Sequence, residues 1–400
     1  MTGSSSQNGG AGAVAFLVVA ISTFSFPTDI RFGVGARHQV GPELRHAGVI
    51  RPLVITDKGV SGLPFVAELL DSLRADGLNA ELFDGVWGNP VAGQVTAGVE
   101  AFVAHDADGV VGLGGGAALD VAKAVALMST HPGALFDYEE DKRGALPITD
   151  AVPFFVAIPT TAGTGSEVGR SAVIADDQTH VKRIIFSPHL LAKIVFADPE
   201  LTVGLPASIT AATGFDALTH NVEAYLAHGY HPICDGIALE GIRLCAQHLA
   251  RAVATPTDCE ARGGMLMASM MGAIAFQKGL GLVHSTAHAL GTQADLHHGL
   301  ANALMIDHAL AFNVEAVPER FAVMAGVVGL EDRSPGTFLR WLADLKAEIG
   351  VPAGLKAAQV DVGAVDALAR LAFDDACHLN NPRRVSEADF HAIFSEALAS

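Results

Sequence analysis

Between residues 52 and 158, short apolar segments alternate with helical patterns, and this alternation restricts the possible folds more than any other feature of the chain. The apolar segments at 52–56, 109–113 and 154–158 have the length and composition of buried strands. Strands that alternate with helices predict a parallel sheet with helices on both of its faces. The other elements predicted in this half are a strand at 79–83 and helices at 66–75, 95–104 and 117–128.

After about Leu205 the pattern changes to long helical segments rich in Ala, Leu and Met. A chain of 400 residues is also longer than one hydrophobic core usually supports. We therefore predict an α/β domain at residues 1–204 and an all-helical domain at residues 205–400, divided in the proline-containing segment 199–206. The clearest helical patterns of the second half are at 234–250, 261–276 and 301–312.

The first residues of the chain predict a flexible leader at 1–10 and an N-terminal strand at 11–21, with an extended segment at 25–35 after it. A secretory signal would carry positive charge before its apolar run, but no Lys or Arg precedes Arg31. The apolar run is also too short to cross a bilayer as a helix. We therefore favour a strand here and expect no membrane anchor; the alternative is a segment that is cleaved from the mature protein.

The formal net charge is −18, from 25 basic and 43 acidic residues. Nucleic-acid binding usually needs the opposite balance, so that class of function is set aside. The four cysteines show neither CxxC spacing nor a disulfide framework, which favours a reducing cytoplasm as the location. These cysteines are Cys234, Cys245, Cys259 and Cys377.

Two loops follow predicted strands and have the composition of nucleotide-binding loops. Gly114–Gly116 stands between a strand and a helix, where glycines let the backbone and the helix N-terminus approach a pyrophosphate. The pattern departs from GxGxxG, and the acidic residue at a strand end, Asp57, precedes the loop instead of following it. The second loop, PTTAGTGSEV at 159–168, is rich in hydroxyl groups. The simpler alternatives are a tight turn for the first loop and an ordinary helix cap for the second.

Two pairs of polar residues lie four positions apart in apolar helical segments: Asp216 with His220, and His284 with His288. Residues four apart share one face of a helix. Burying a carboxylate and imidazoles without partners is costly, and a divalent metal would compensate that cost. Spacing alone does not decide whether His297 or His298 completes the site. The alternative is that these are ordinary surface or core histidines among the 17 of the chain.

Several motifs resemble the iron-containing (group III) alcohol dehydrogenases, and the resemblance covers most of the chain, from residue 26 to residue 383. It implies an α/β dinucleotide-binding domain with a parallel sheet, followed by an all-α metal-binding domain. The motifs are GGGxxxD at 114–120 with Lys123 after it, PTTAGTGSEV at 159–168, ATGFDALTHxxExY at 212–225, HSTAHALG at 284–291, HHG at 297–299 and DACxxxNPR at 375–383.

The resemblance also assigns roles to individual residues. It implies that Asp216, His220, His284 and His298 bind the metal, and that His288 is the catalytic residue that relays a proton near the substrate and the nicotinamide. Cys377 and His378 match a segment at the nicotinamide end of the cleft. The implied dinucleotide contacts are Asp57, Asn89, Gly115, Gly116, Ala117, Asp120, Thr160, Thr161, Thr164, Ser171 and Lys182.

Two of these contacts depart from the residues that are common in the family. Ala117 replaces a frequent Ser, and Ser171 stands where Asn is known, so each position loses or weakens one polar contact. Asp57 would accept hydrogen bonds from the ribose hydroxyls of NAD and repel the 2′-phosphate of NADP. We therefore expect NAD as the cofactor, with a preference over NADP.

The implied activity is a metal-dependent transfer of hydride between NAD and a small alcohol or aldehyde, such as a short primary alcohol, a diol or a hydroxy acid. The metal acts as a Lewis acid on the substrate oxygen. Fe(II) is the expected metal, and Zn(II) is also compatible with three imidazoles and one carboxylate. By analogy with the family, we expect a homodimer or a higher homo-oligomer, with no nucleic-acid or membrane partner.

Three other functions compete with this one. A lyase of the dehydroquinate-synthase type would need more basic residues around the motifs to bind an acidic substrate. A metal-free reductase of the maleylacetate type would not need the intact set Asp216, His220, His284 and His298. A non-catalytic metal-binding or interaction protein would bind nucleotide without turnover.

Overall fold

The computed structural model describes residues 28–140, 142–179, 181–361 and 365–399. The predicted leader at 1–10 and strand at 11–21 lie outside these described residues. The first half contains a six-stranded sheet with the order β1-β8-β5-β4-β2-β3, in which all neighbouring strands are parallel. Its strands are β1 (Asp29–Phe32), β2 (Pro52–Asp57), β3 (Glu81–Val86), β4 (Gly109–Gly114), β5 (Phe154–Pro159) and β8 (Ile194–Ala197).

Helices cover both faces of this sheet, as the alternating pattern predicts. Val110 of β4 belongs to one apolar core, whereas Val111 and Leu113 belong to the other. Successive residues of a strand point to opposite faces of the sheet. In a strand that is buried throughout, the side chains therefore pack against a layer of helices on each face. The helices of this half are α1 (Val40–His46), α2 (Pro64–Ala75), α3 (Ala92–Ala104) and α4 (Gly116–Met128).

The antiparallel hairpin formed by β6 (Ser171–Ala175) and β7 (Lys182–Phe186) is not predicted from the sequence, and neither is β8. In β7, basic and apolar residues are mixed over only five positions, and just Ile185 is fully buried. Such a short, partly exposed strand gives little hydrophobic pattern from which to predict it. The hairpin matters because it carries Ser171 and Lys182, two of the predicted cofactor contacts.

The second half is helical, and α5 (Ala207–Leu226) lies at its centre with every residue from Thr210 to Leu226 buried. A helix that is buried all round is expected inside a bundle, and α6, α7 and α9 surround it. The other helices are α6 (Pro232–Ala254), α7 (Cys259–Ala275), α8 (Leu282–Ala294), α9 (His298–Asn313), α10 (Pro318–Val327), α11 (Pro335–Glu348), α12 (Val365–Asp374) and α13 (Glu387–Ala399).

The protein thus combines an α/β half that contains a parallel sheet with an all-α half, which confirms the predicted fold class. One apolar core extends from Val110 of the sheet to Phe215 of α5, so packing is continuous between the halves. The division at residues 204 and 205 therefore stays a prediction. Within the described ranges no single helix is long and apolar enough to cross a membrane; Cys259–Lys278 and Leu282–Ala294 pass that test only as a pair, bent by 107°.

Candidate active site

Three helices bring the four predicted metal ligands together. Asp216 and His220 lie one turn apart on α5, His284 is in the first turn of α8, and His298 begins α9. Their ligand atoms all lie within 4.8 Å of one another. Asp216 Oδ1 is 3.3 Å from His298 Nε2 and 3.9 Å from the Nε2 atoms of both His220 and His284. His297 is not a member of this group.

The electrostatics of the cluster suit a cation. Burial alone would raise the pKa of Asp216, but the imidazoles of His220, His298 and His284 outweigh burial and hold that pKa well below its usual range. Burial lowers the pKa of His284 strongly, and it also lowers that of His298 against the attraction of Asp216. An ionised carboxylate with neutral imidazoles is the protonation state that a metal requires.

The tautomers of two of these histidines are set by their outer ring nitrogens. His284 Nδ1 lies 2.7 Å from Glu223 Oε2, and His220 Nδ1 lies 3.3 Å from the carbonyl oxygen of Gly163. Each acceptor keeps the proton on Nδ1, so that Nε2 presents its lone pair to the centre of the cluster. Three nitrogens and one carboxylate oxygen then fit a divalent transition metal such as Fe(II) or Zn(II).

Glu223 supports the ligands from outside, whereas Asn302 contacts the ligand atoms themselves. The Glu223 carboxylate accepts hydrogen bonds from the backbone N–H groups of Val283 at 2.7 Å and His284 at 3.2 Å, at the start of α8. Burial raises the pKa of Glu223 to about 7, although these backbone hydrogen bonds oppose the shift. Asn302 Nδ2 donates to Asp216 Oδ1 at 2.8 Å and also lies 3.3 Å from His298 Nε2 and 3.4 Å from His284 Nε2, so this amide contacts three of the four ligands.

His288 lies beside the four-ligand cluster and not within it. Its ring stacks on that of His298, with centroids 5.3 Å apart, and its side chain is 34% exposed. His288 Nδ1 lies 2.8 Å from Asp375 Oδ2, and Asp375 Oδ1 accepts hydrogen bonds from Ser285 Oγ and the Cys377 backbone N–H. Burial would raise the pKa of Asp375, but the hydrogen bond from His288 helps to hold it well below its usual range.

Cys377 and His378, predicted at the nicotinamide end of the cleft, follow directly after Asp375. Burial, reinforced by the Asp375 carboxylate, raises the pKa of the Cys377 thiol well above its usual value. This thiol therefore stays protonated and is a poor nucleophile. The His378 backbone N–H donates to Ser285 Oγ at 3.0 Å, which ties the segment to α8.

The predicted nucleotide loop lies at the carboxyl edge of the sheet, where β2, β4 and β5 end. Gly114 has φ +148°, a conformation that side chains disfavour, and a Cβ on Gly116 would lie 2.8 Å from Thr164. Among the described residues, no side chain caps the N-terminus of α4. The first backbone N–H groups of α4 are therefore available to bind an anion, and the position of Gly116 is too narrow for a larger residue.

Asp57 ends β2 next to this loop. Its Oδ1 accepts hydrogen bonds from the backbone N–H groups of Gly59 at 2.9 Å and Val60 at 3.0 Å. Its Oδ2 lies on the side of the glycine loop, 3.0 Å from the position of a Cβ on Gly114. One carboxylate oxygen is thus fixed by the turn, and the other faces the predicted cofactor position.

The remaining predicted cofactor contacts surround the same edge. Thr160 Oγ1 is buried without a hydrogen-bond partner among the described residues, which leaves a polar atom for a ligand. Asn89 Nδ2 lies 3.4 Å from Asp295 Oδ1, across the space between the α/β half and α8. The other predicted contacts lie on α4, on the loop after β5 and on the hairpin: Ala117, Thr161, Ser171 and Lys182.

Asp120 differs from these contacts because its carboxylate already has partners inside the protein. It accepts hydrogen bonds from Ser166 Oγ at 2.5 Å and from the Val173 backbone N–H at 3.0 Å, and Lys123 Nζ lies 3.4 Å away. Buried Lys123 also donates to the carbonyl of Ser171. Asp120 therefore joins α4 to the second loop and the hairpin, a positioning role that its motif alone does not reveal.

Three functional residues are not predicted from the sequence: Glu223, Asn302 and Asp375. Helical spacing could have identified Glu223 and Asn302. Glu223 follows Asp216 by seven positions and Asn302 follows His298 by four, so each lies on the ligand face of its helix. Asp375 is 87 residues from His288, so only the tertiary structure shows that they are partners.

Comparisons with known proteins show which family this chain resembles along most of its length. The iron-containing alcohol dehydrogenase family profile matches residues 27–199, and the profile for the C-terminal part of that family matches residues 210–398. A 4-hydroxybutyrate dehydrogenase of Cupriavidus necator is 38% identical over 380 residues, which cover 93% of this chain and 98% of that protein.

Solved structures show the same likeness. A crystal structure of 1,3-propanediol oxidoreductase superimposes with a TM-score of 0.90 at 36% identity, covering 94% of this chain and all of that one (100%). The sulfoacetaldehyde reductase of Bifidobacterium kashiwanohense, solved in complex with NAD+, superimposes with a TM-score of 0.88 at 28% identity, covering 95% of this chain and 100% of the other.

Proposed function

Because the chain belongs to the iron-containing alcohol dehydrogenase family, whose members include oxidoreductases of small alcohols, we propose that it is an NAD-dependent, metal-containing alcohol dehydrogenase. Its substrate would be a small alcohol or aldehyde. The observation that carries the proposal is the convergence of Asp216, His220, His284 and His298 beside the His288–Asp375 pair. Relatives that are named for 4-hydroxybutyrate, 1,3-propanediol and methanol support the substrate class.

The four ligands would hold a divalent metal, with Fe(II) as the first candidate and Zn(II) as the second. When bound, the metal supplies a Lewis acid for the substrate oxygen, and NAD supplies the hydride acceptor. Glu223 and the Gly163 carbonyl orient two imidazoles toward the metal position, and Asn302 orients Asp216. Burial of these groups excludes water from the position where charge develops on the substrate.

His288 would move the proton that the alcohol loses. Asp375 accepts the Nδ1 hydrogen bond, so Nε2 of the neutral ring is free to accept a proton, and the carboxylate stabilises the imidazolium that results. The side chain is one-third exposed, which gives the proton a route to solvent. Asp375 acts here as a positioning residue.

NAD would bind along the carboxyl edge of the sheet. Gly115, Gly116 and the start of α4 would bind the pyrophosphate through backbone N–H groups, and the free oxygen of Asp57 would accept from the ribose. The proposed contacts also include Asn89, Ala117, Thr160, Thr161, Thr164, Ser171 and Lys182, with Asp120 in a supporting position. A cytoplasmic location and a homodimer or higher oligomer remain part of the proposal.

A panel of alcohols and aldehydes, read at the NADH absorbance band with NAD and with NADP, tests this function. We expect net reduction of NAD by at least one short primary alcohol or diol, and slower reduction of NADP. A lyase of the dehydroquinate-synthase type would give no net NADH with any alcohol. Equal or faster use of NADP would contradict the role given to Asp57.

A further inference from the structure

A cleft with a volume of about 330 Å³ lies between the β6–β7 hairpin and the C-terminal end of α7. Its walls are mainly apolar, with Ile184 and Phe186 from the hairpin and Ile274 and Phe276 from the helical half. Ile184 and Phe186 are also 46% and 40% exposed, although both are large and apolar. Walls of this kind suit the methylene groups of a small organic substrate.

Phe276 connects the wall of this cleft to the candidate metal site. The ring of Phe276 lies 5.1 Å from that of His220, centroid to centroid. Ser171, a predicted cofactor contact, also lines the cleft. A molecule in the cleft therefore lies beside Phe276, whose ring is next to a metal ligand, and beside Ser171, a predicted cofactor contact.

Arg170 is the one basic residue among the described residues that line the cleft. Its guanidinium carbon lies 5.2 Å from the centroid of the Phe186 ring. Among the described residues, no carboxylate oxygen lies within 4.0 Å of its guanidinium nitrogens, whereas Arg183 of the same hairpin binds Glu139 at 2.7 Å. Arg170 therefore holds a positive charge without a counter-ion in the described part of the chain, whose full sequence has a net charge of −18.

A guanidinium on an aromatic wall is well suited to a carboxylate, which it binds through two parallel hydrogen bonds. We propose that the cleft takes a short ω-hydroxy carboxylic acid, with its carboxylate on Arg170 and its hydroxyl end directed at the metal site. Oxidation of the alcohol carbon by NAD gives the corresponding semialdehyde, NADH and one proton, and the carboxylate is unchanged. This inference rests on the proposed function and makes Arg170 its specificity-determining residue.

Glu140 lines the same cleft, so the sign of the charge that the cleft prefers must be tested directly. Three substrates of matched length serve this purpose: 4-hydroxybutyrate, 1-butanol and 4-amino-1-butanol. We expect the highest kcat/KM for 4-hydroxybutyrate and the lowest for the amine. A preference for the amine would assign the cleft to cations through Glu140 and overturn the proposal.

Variants of Arg170 test the residue itself. In Arg170→Gln, kcat/KM for 4-hydroxybutyrate should fall by about 10- to 100-fold, mainly through KM, because a charge-assisted contact is lost. The value for 1-butanol should change by less than about threefold, and Arg170→Lys should recover part of the loss. Arg183→Gln is the matched control, since it removes a charge from the same hairpin outside the cleft lining.

A binding measurement separates this inference from the proposed function. Butyrate has no hydroxyl group, and the NADH-loaded enzyme cannot oxidise an alcohol, so affinities measured by calorimetry on that complex report the carboxylate contact without turnover. Wild type should bind butyrate more tightly than 1-butanol, and Arg170→Gln should lose that difference. Suppose that wild type oxidises 1-butanol, but Arg170→Gln changes neither kcat/KM for the two substrates nor the affinity for butyrate. The inference about Arg170 is then wrong, while the assignment as an alcohol dehydrogenase is unaffected. If no alcohol is oxidised, the proposed function itself is wrong.

Discussion

Oε2 of Glu223 lies 2.7 Å from Nδ1 of His284, and this buried contact determines which nitrogen His284 offers to a metal. The same carboxylate accepts two backbone N–H groups at the start of α8, so it also fixes the helix that carries His284 and His288. Glu223 and His284 come from different helices and are 61 residues apart. One side chain thus couples the packing of α5 and α8 to the chemistry of the site.

Glu223→Gln should weaken metal binding by about 10- to 100-fold, because the amide gives less support to the Nδ1 proton of His284. Competition with a chelator of known affinity measures this loss. Glu240→Gln, on α6, is a control that should bind metal like wild type, since Glu240 contacts Arg243 and none of the ligands. Unchanged metal affinity in Glu223→Gln would remove the orienting role.

His288→Ala should keep its metal and lose turnover by about 100-fold or more, because the proton relay is absent. Asp375→Asn should show a smaller loss together with a shifted pH profile of kcat, since Asp375 acts through His288. Metal analysis and steady-state rates on the same samples measure both effects. Loss of the metal in His288→Ala would make His288 a ligand, and unchanged turnover would contradict its catalytic role.

Gly299→Ala should destabilise the fold by about 2 kcal/mol or more, because a Cβ there would lie 2.2 Å from the carbonyl oxygen of Ala212 and force α9 away from α5. Gly236→Ala, on α6, is the matched control, since its Cβ would meet nothing within 4 Å. That control should gain about 0.5–1 kcal/mol from helix propensity. Urea unfolding measures both, and equal effects would contradict the close approach of the two helices.

Glu167→Gln should stabilise the protein more at pH 8 than at pH 5. Glu167 is 1% exposed, and burial raises its pKa to about 7 even though Lys123 opposes the shift. The stability that its protonated form contributes is complete below the pKa of the unfolded chain and is lost as the pH rises through about 7, whereas Gln stays neutral.

Urea unfolding measures the free energy of unfolding of Glu167→Gln and of wild type at each pH. The advantage of the variant over wild type should grow by about 2 kcal/mol from pH 5 to pH 8. Glu68→Gln, at an exposed position of α2, is the control and should change by less than about 0.5 kcal/mol. A difference for Glu167→Gln that does not depend on pH would show that the carboxyl group is not held in its neutral form.

The sheet was predictable because its central strands are buried on both faces and therefore form continuous apolar runs, as at Val110–Leu113. The β6–β7 hairpin was not predictable, since Lys182 and Arg183 interrupt the apolar pattern of β7. Without the hairpin, the wall of the cleft that contains Arg170 and Phe186 could not be predicted either.

The metal site was also predictable only in part. Helical spacing identified Asp216 with His220, but it also paired His284 with His288, which lie on one helix and have different neighbours. The convergence of α5, α8 and α9 depends on tertiary packing, such as the contact of Gly299 with Ala212, and no local pattern reports it. The family resemblance supplied the choice of His298 in advance.

The most direct test of the proposed metal-dependent alcohol dehydrogenase is removal and return of the metal. Protein stripped by a chelator, and verified to be free of metal, is assayed for NADH formation with 1-butanol and NAD before and after anaerobic addition of Fe(II) or Zn(II). We predict no activity in stripped wild type, recovery with Fe(II), and no recovery in Asp216→Ala. Undiminished activity in the metal-free protein would contradict the assignment of Asp216, His220, His284 and His298 as the ligands of a catalytic metal.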